Sequence, residues 1–183
     1  MIRVLNATPS DAAPIARVHV ETWRDSYAGI LPSHKLAGMS RRQHVGGWSQ
    51  SLRNPRREIV LIAEDAAAEV LGFGTGGRAR TFSPPYEGEV YMLYVLPGFQ
   101  DLGVGSALMK GLFEQLLRRK YRSGLLWVLA DNPARFFYQT VGGKLIGRHE
   151  EPFWGVSVEE LAYGWPDLSK AVAILRRRSS HVE

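Results

Sequence analysis

Glu89-Val90-Tyr91-Met92-Leu93-Tyr94-Val95 reads as a strand, and Gln100-Asp101-Leu102-Gly103-Val104-Gly105 stands between it and a helix-like run from Ser106 to Tyr121. From Gly88 to Leu96 the chain alternates too little for a half-exposed strand, so the run predicts a central one. The start of a helix leaves N–H groups without internal partners and carries the positive end of the helix dipole. A diphosphate placed at the turn is therefore held without a dedicated cation. A Cβ at position 103 or 105 would block close approach of the backbone or forbid a left-handed turn. The same two glycines also serve a plain strand-to-helix connection, so the spacing alone does not name a ligand.

The residues after the glycines narrow the choice. Ser106, Ala107 and Leu108 offer no Gly-Lys-Ser/Thr ending for a nucleotide triphosphate and its magnesium. The third glycine of a dinucleotide fingerprint would fall at Leu108, and its ribose-binding acid near Ser123. The remaining pattern, Gln-x-x-Gly-x-Gly after a strand ending in Val95-Leu96-Pro97, resembles the acetyl-coenzyme A loop of the GNAT family of N-acetyltransferases. Leu125 to Leu129, a buried strand running into Asp131-Asn132-Pro133-Ala134-Arg135-Phe136-Phe137-Tyr138, is also typical of that family. The stretch from Thr22-Trp23-Arg24 to Leu31-Pro32 resembles its first helical region. The resemblance covers most of residues 2–165.

The resemblance implies an α/β (α+β) fold: a mixed, mostly antiparallel twisted sheet of about seven strands with flanking helices. Its fourth and fifth strands form a parallel pair, splayed to admit coenzyme A. The activity implied is direct transfer of acetyl from acetyl-coenzyme A, a cosubstrate, to a primary amine of a small molecule or peptide. A noncatalytic acyl-coenzyme A sensor, or a protein or ribosomal-protein acetyltransferase using the basic surface, would share the fold. The coenzyme would meet Leu93, Tyr94, Val95, Gln100, Asp101, Leu102, Gly103, Val104, Gly105, Ser106, Asn132 and Tyr138.

A primary amine is mostly charged at neutral pH, so transfer asks for a base, a donor to the developing oxyanion and a proton for the leaving thiolate. By resemblance Glu89 is the base, with Glu87 a weaker candidate. A backbone N–H near Val95 is the oxyanion donor, and Tyr138 is the acid. The acceptor side holds Trp23, Tyr27 and Trp154, with Trp48 and Phe153. Each residue also has a plainer reading: Glu89 as a sheet glutamate, Tyr138 as a core aromatic beside Phe136 and Phe137, and Asn132 as a helix cap before Pro133. The sequence departs from the family at Val141-Gly142-Gly143, where Gly-Phe is common, so the aromatic that seals this corner is missing.

The 183 residues suit one domain, expected over 1–166, with a C-terminal helix and basic tail over 167–183. There is no cysteine, which removes disulfides and a thiol nucleophile, and the five histidines are too scattered for a metal site. No apolar run approaches the roughly 20 residues of a membrane span, and no signal peptide is visible, so a cytoplasmic location is expected. The net charge of +5 and Arg176-Arg177-Arg178 would attract polyanions. The arginine tail lacks the interleaved aromatics that stack bases, which argues against nucleic acid, and a basic surface serves coenzyme A equally well. A homodimer stays open.

Further elements are read from pattern and punctuation: a strand at 2–5, helices at 12–28, 33–39 and 40–52, and a hairpin of 59–64 with 70–76 whose glycines suggest bulging. A loop is expected at 81–87, a closing hairpin of 144–148 with 156–163, and a short helix with a frayed end over 168–183.

Overall fold

The computed structural model describes residues 2–54, 58–80 and 85–179, and side chains up to residue 177. Positions 81–84 of the expected loop, the end of the expected tail at 180–183, and the side chain of Arg178 lie outside the described part. The strands are β1 (Arg3–Asn6), β2 (Ile59–Glu64), β3 (Val70–Arg78), β4 (Gly88–Val95), β5 (Gly124–Leu129), β6 (Lys144–Phe153) and β7 (Val156–Trp165). The helices are α1 (Ala12–Ser26), α2 (Ser33–Ala37), α3 (Arg41–Leu52), α4 (Val104–Arg118), α5 (Ala134–Thr140) and α6 (Leu168–Ser179).

The seven strands form one sheet of order β1-β2-β3-β4-β5-β7-β6. Every pairing is antiparallel except that of β4 with β5, which α4 joins by a crossover. The fold that the resemblance implies is therefore the one present. The parallel pairing holds only at Gly88↔Gly124 and Glu89↔Leu125. Beyond those residues β4 and β5 part, leaving a gap at their carboxyl ends.

One face of the sheet carries α4, whose Leu108, Met109, Leu112, Phe113 and Leu116 recur at helical spacing and are fully buried. A Cβ on Gly74 of β3 would lie 2.8 Å from Leu112 Cδ1, so this glycine lets the helix ride close to the strand. The expected irregularity is also present, as a register shift between Thr75 and Gly76. Helix α6 joins the same core through Leu168, Ala171, Val172 and Leu175, and Arg176 reaches Glu114 of α4 at 2.9 Å.

The opposite face carries α1 and α3, with Ile15, Val18, Trp48, Leu52, Ile62 and Phe73 in one cluster. Trp48 thus packs on Phe73 in the core, at a centroid distance of 5.0 Å, and is not part of an acceptor surface. The reason is phase: its position on α3 faces α1 and the sheet.

The closing hairpin is longer than its sequence suggests. β6 continues to Phe153 because Trp154 and Gly155 both take left-handed backbone, with φ of 51° and 87°. Two such residues make the tight turn whose twist suits paired strands. Pro152 is tolerated because β6 is the outer strand. The turn swings Phe153 and Trp154 onto the end of α1.

Candidate active site

The gap between β4 and β5 opens into a groove, part of a surface depression of about 1780 Å³ that also runs along α4 past Asn6 of β1 to Glu114 and Arg177. An open depression of this extent suits an extended ligand. Leu93, Tyr94 and Val95 line it from β4, and Gln100 to Gly103, Gly105 and Ser106 line it from the turn and the start of α4. Tyr27 of the α1 end, Asn132 and Tyr138 line it as well. Val104 does not: its side chain is buried in the core, so only its backbone belongs to the turn.

Gly103 caps α4 with a φ of 82° and no side-chain cap hydrogen bond. The first helical bond runs from Ala107 N–H to Gly103 O, so the amides of Val104, Gly105 and Ser106 head the helix without partners inside it. The residues present therefore fit the diphosphate of a coenzyme A thioester.

On β4, the Leu96 N–H donates to Leu71 O of β3. Strand alternation then turns the Val95 N–H the other way, into the gap, where β5 no longer pairs. The Val95 carbonyl on that side accepts from Thr22 Oγ1 at 3.3 Å and from Gln100 Nε2 at 3.4 Å. Asn132 is buried, one residue before the Pro133 cap of α5; its Oδ1 accepts from Ala134 N–H, the first amide of that helix, at 2.9 Å, and the residue lines the groove. The Tyr138 phenol is buried, which pushes its pKa well up and keeps the hydroxyl protonated.

The aromatic residues expected on the acceptor side do meet. Trp23 lies 5.0 Å from Tyr27 and 5.5 Å from Trp154 between ring centroids, and Leu129, Leu36 and Phe153 complete the cluster. His19 forms part of its floor, stacked 5.5 Å from Tyr94. Burial, helped by the charge of His44, lowers its pKa to about 4.

Glu89 is not brought to this end. It is 1% exposed at the closed, paired end of β4. Its carboxylate accepts from Arg80 N at 2.7 Å, Nε at 3.1 Å and Nη2 at 2.7 Å. Glu87 is similarly engaged, accepting from Arg122 N–H at 2.7 Å. Residues that sequence reasoning missed include Thr22, Ser26 and Trp127, which also line the groove. Thr22 interrupts the apolar face of α1, a signal visible in the sequence. Trp127 reads as one more apolar residue of a buried strand. Among the described residues no group of three or more His, Asp or Glu can hold a metal, and no helix is long and apolar enough to cross a membrane.

A parallel strand pair that parts beside a helix start without a side-chain cap is the framework of a coenzyme A-dependent acyltransferase. This chain belongs to the GNAT family of acetyltransferases, whose model matches residues 20–142. It is 34% identical over 178 residues to an uncharacterized N-acetyltransferase, YuaI, of Bacillus subtilis, covering 97% of this chain and 100% of that one. It is 31% identical over 125 residues to the mycothiol acetyltransferase of Paenarthrobacter aurescens, covering 67% of this chain and 38% of that one. Its fold is similar to that of the PaiA N-acetyltransferase of Thermoplasma acidophilum, solved with coenzyme A, at a TM-score of 0.70 and 19% identity over 90% of this chain and 99% of that one. The acetyltransferase YncA of Salmonella typhimurium, solved with acetyl-CoA, matches at a TM-score of 0.68 and 18% identity over 92% and 94%.

Proposed function

We propose that the chain transfers the acetyl group of acetyl-coenzyme A directly to a primary amine of a small molecule or peptide. The observation that carries this reading is that the unpaired end of β4, the start of α4 and the aromatic cluster of Trp23, Tyr27 and Trp154 share one end of the sheet. Bound there, the thioester supplies an activated acetyl carbon. The amides at residues 104–106 hold its diphosphate, the Val95 N–H meets the acetyl oxygen, and Tyr138 donates a proton toward the sulfur. The chain has no cysteine to take the acetyl group first, which supports direct attack by the amine.

Incubation with acetyl-coenzyme A and a mixed amine library, read by mass spectrometry, is expected to show acetylated amines. No mass gain in any of them would overturn the reading. Tyr138→Phe is expected to lower kcat by about 10–100-fold with coenzyme A affinity unchanged. The effect is modest because a thiolate with a pKa near 8.5 leaves tolerably without help. An unchanged kcat would remove the tyrosine from the chemistry.

A further inference from the structure

We propose that Glu160, held by His149, is the base that takes the proton from the acceptor amine, in place of Glu89. This rests on the acetyl-transfer reading above. Glu160 pairs with Leu129, the last residue of β5, whereas Glu89 pairs with Leu125. Four residues of strand separate the two positions, about 13 Å toward the open end. Residues directly opposite in a ladder share a face, so Trp127, Leu129, Glu160 and His149 lie on the side of the sheet that bears the aromatic cluster. Leu129 belongs to that cluster, and Trp127 lines the groove with its ring 4.4 Å from that of His149. Glu160 itself is not among the residues lining the groove; it stands opposite Leu129 of the aromatic cluster and beside His149, which touches the groove-lining Trp127.

Its environment suits the task. The side chain is 29% exposed, open enough to meet a ligand, whereas that of Glu89 is 2% exposed and spent on Arg80. Burial raises the Glu160 pKa above the ordinary carboxylate range. His149 pulls it down, Glu151 pushes it up, and Arg80 and Glu89 act in opposite senses. Tyr27, from the end of α1, feels the Glu160 charge as well. His149 Nε2 lies 3.4 Å from Glu160 Oε2 and 3.6 Å from Glu151 Oε2, ion-pair distance to both when the imidazole is protonated, and its ring stands edge-on to that of Trp127.

The step balances. The ammonium gives one proton to the Glu160 carboxylate, and the freed nitrogen bonds to the acetyl carbon as the carbon–sulfur bond breaks. The sulfur takes a proton from Tyr138, and the second proton lost by nitrogen restores the phenol. Glu160 returns its proton to water.

The test uses the full chain, acetyl-coenzyme A and an alkylamine that the parent acetylates in the library assay. Glu160→Gln is expected to lose at least about 100-fold in kcat/KM for the amine at pH 7, with coenzyme A affinity and melting temperature unchanged. The deficit is expected to shrink below about tenfold above about pH 10.5, where half or more of the alkylamine arrives neutral and needs no base. His149→Ala removes a group that lowers the Glu160 pKa. Because Glu160 acts when deprotonated, the acid limb of the kcat/KM profile is expected to move to higher pH. Parental turnover in Glu160→Gln, or a deficit that ignores pH, would overturn the base assignment alone. A deficit that pH relieves in Glu89→Gln but not in Glu160→Gln would return the role to Glu89. A parent that acetylates nothing would overturn the transfer reading and this one together.

Discussion

Gly105→Trp is expected to abolish coenzyme A binding in isothermal titration while leaving the far-ultraviolet circular dichroism of the parent intact. A Cβ on Gly105 would meet Phe137 Cζ at 3.8 Å and Val95 Cγ2 at 3.9 Å, ordinary contact distances that need no movement of the fold. Residue 105 is inside the first turn of α4, so a side chain there needs no left-handed backbone. The indole beyond that Cβ, however, has nowhere to go except the space between β4 and α5. That space is the groove, since Val95, Phe137 and Gly105 all line it. A weakening of at least about 100-fold, near 2.8 kcal/mol, is the expected result. Undiminished binding by a folded Gly105→Trp chain would place the coenzyme elsewhere. Gly103 is less suited to this test, because its φ of 82° makes any side chain strain the turn itself.

The legible parts of the fold are those whose causes are local. The apolar run before the glycines, the left-handed residue that ends the turn and the four-residue spacing of Leu108, Leu112 and Leu116 each lie within a few residues of one another. Together with the crossover rule they are enough to place the groove at the carboxyl end of β4. Asn132 takes its place from the turn after β5, and Tyr138 from α5. The meeting of Trp23, Tyr27 and Trp154 accords with the family's geometry, although the tight turn at Trp154-Gly155 that delivers it is not evident in the sequence.

The features that escape the sequence depend on register between distant strands. Glu89 occupies a position suited to a base by resemblance, but Arg80 reaches it only because Gly77 pairs with Glu89 across β3 and β4. A buried carboxylate so engaged is a structural ion pair, and removing one partner leaves the other uncompensated. Glu160 and His149 read as surface residues of a polar hairpin. Their relation to Trp127 appears only once β5, β7 and β6 are aligned. This side of the aromatic cluster therefore depends on the least local part of the fold.

The corner after α5 gives the largest expected effect on stability. Trp165→Ala is expected to destabilise the chain by about 3–5 kcal/mol, the range for removing a fully buried large aromatic. Urea denaturation would measure it as a fall in midpoint. Trp165 is 2% exposed, its Nε1 donates to Val141 O at 3.0 Å, and its ring packs 5.1 Å from that of Phe113. A Cβ on Gly143 would lie 2.7 Å from Trp165 Cζ2, so the indole of β7 fills the corner where the resemblance leads one to expect an aromatic at position 143. Gly143→Phe alone is accordingly expected to destabilise by overpacking, since the same Cβ also meets the Tyr138 carbonyl at 2.8 Å. In the Trp165→Ala background the clash with the indole is gone and only that with the carbonyl remains, so Gly143→Phe is expected to cost less there than in the parent. The two substitutions should therefore couple by more than about 1 kcal/mol in a double-mutant cycle. Additive losses would mean that the indole and the missing phenylalanine do not occupy the same space.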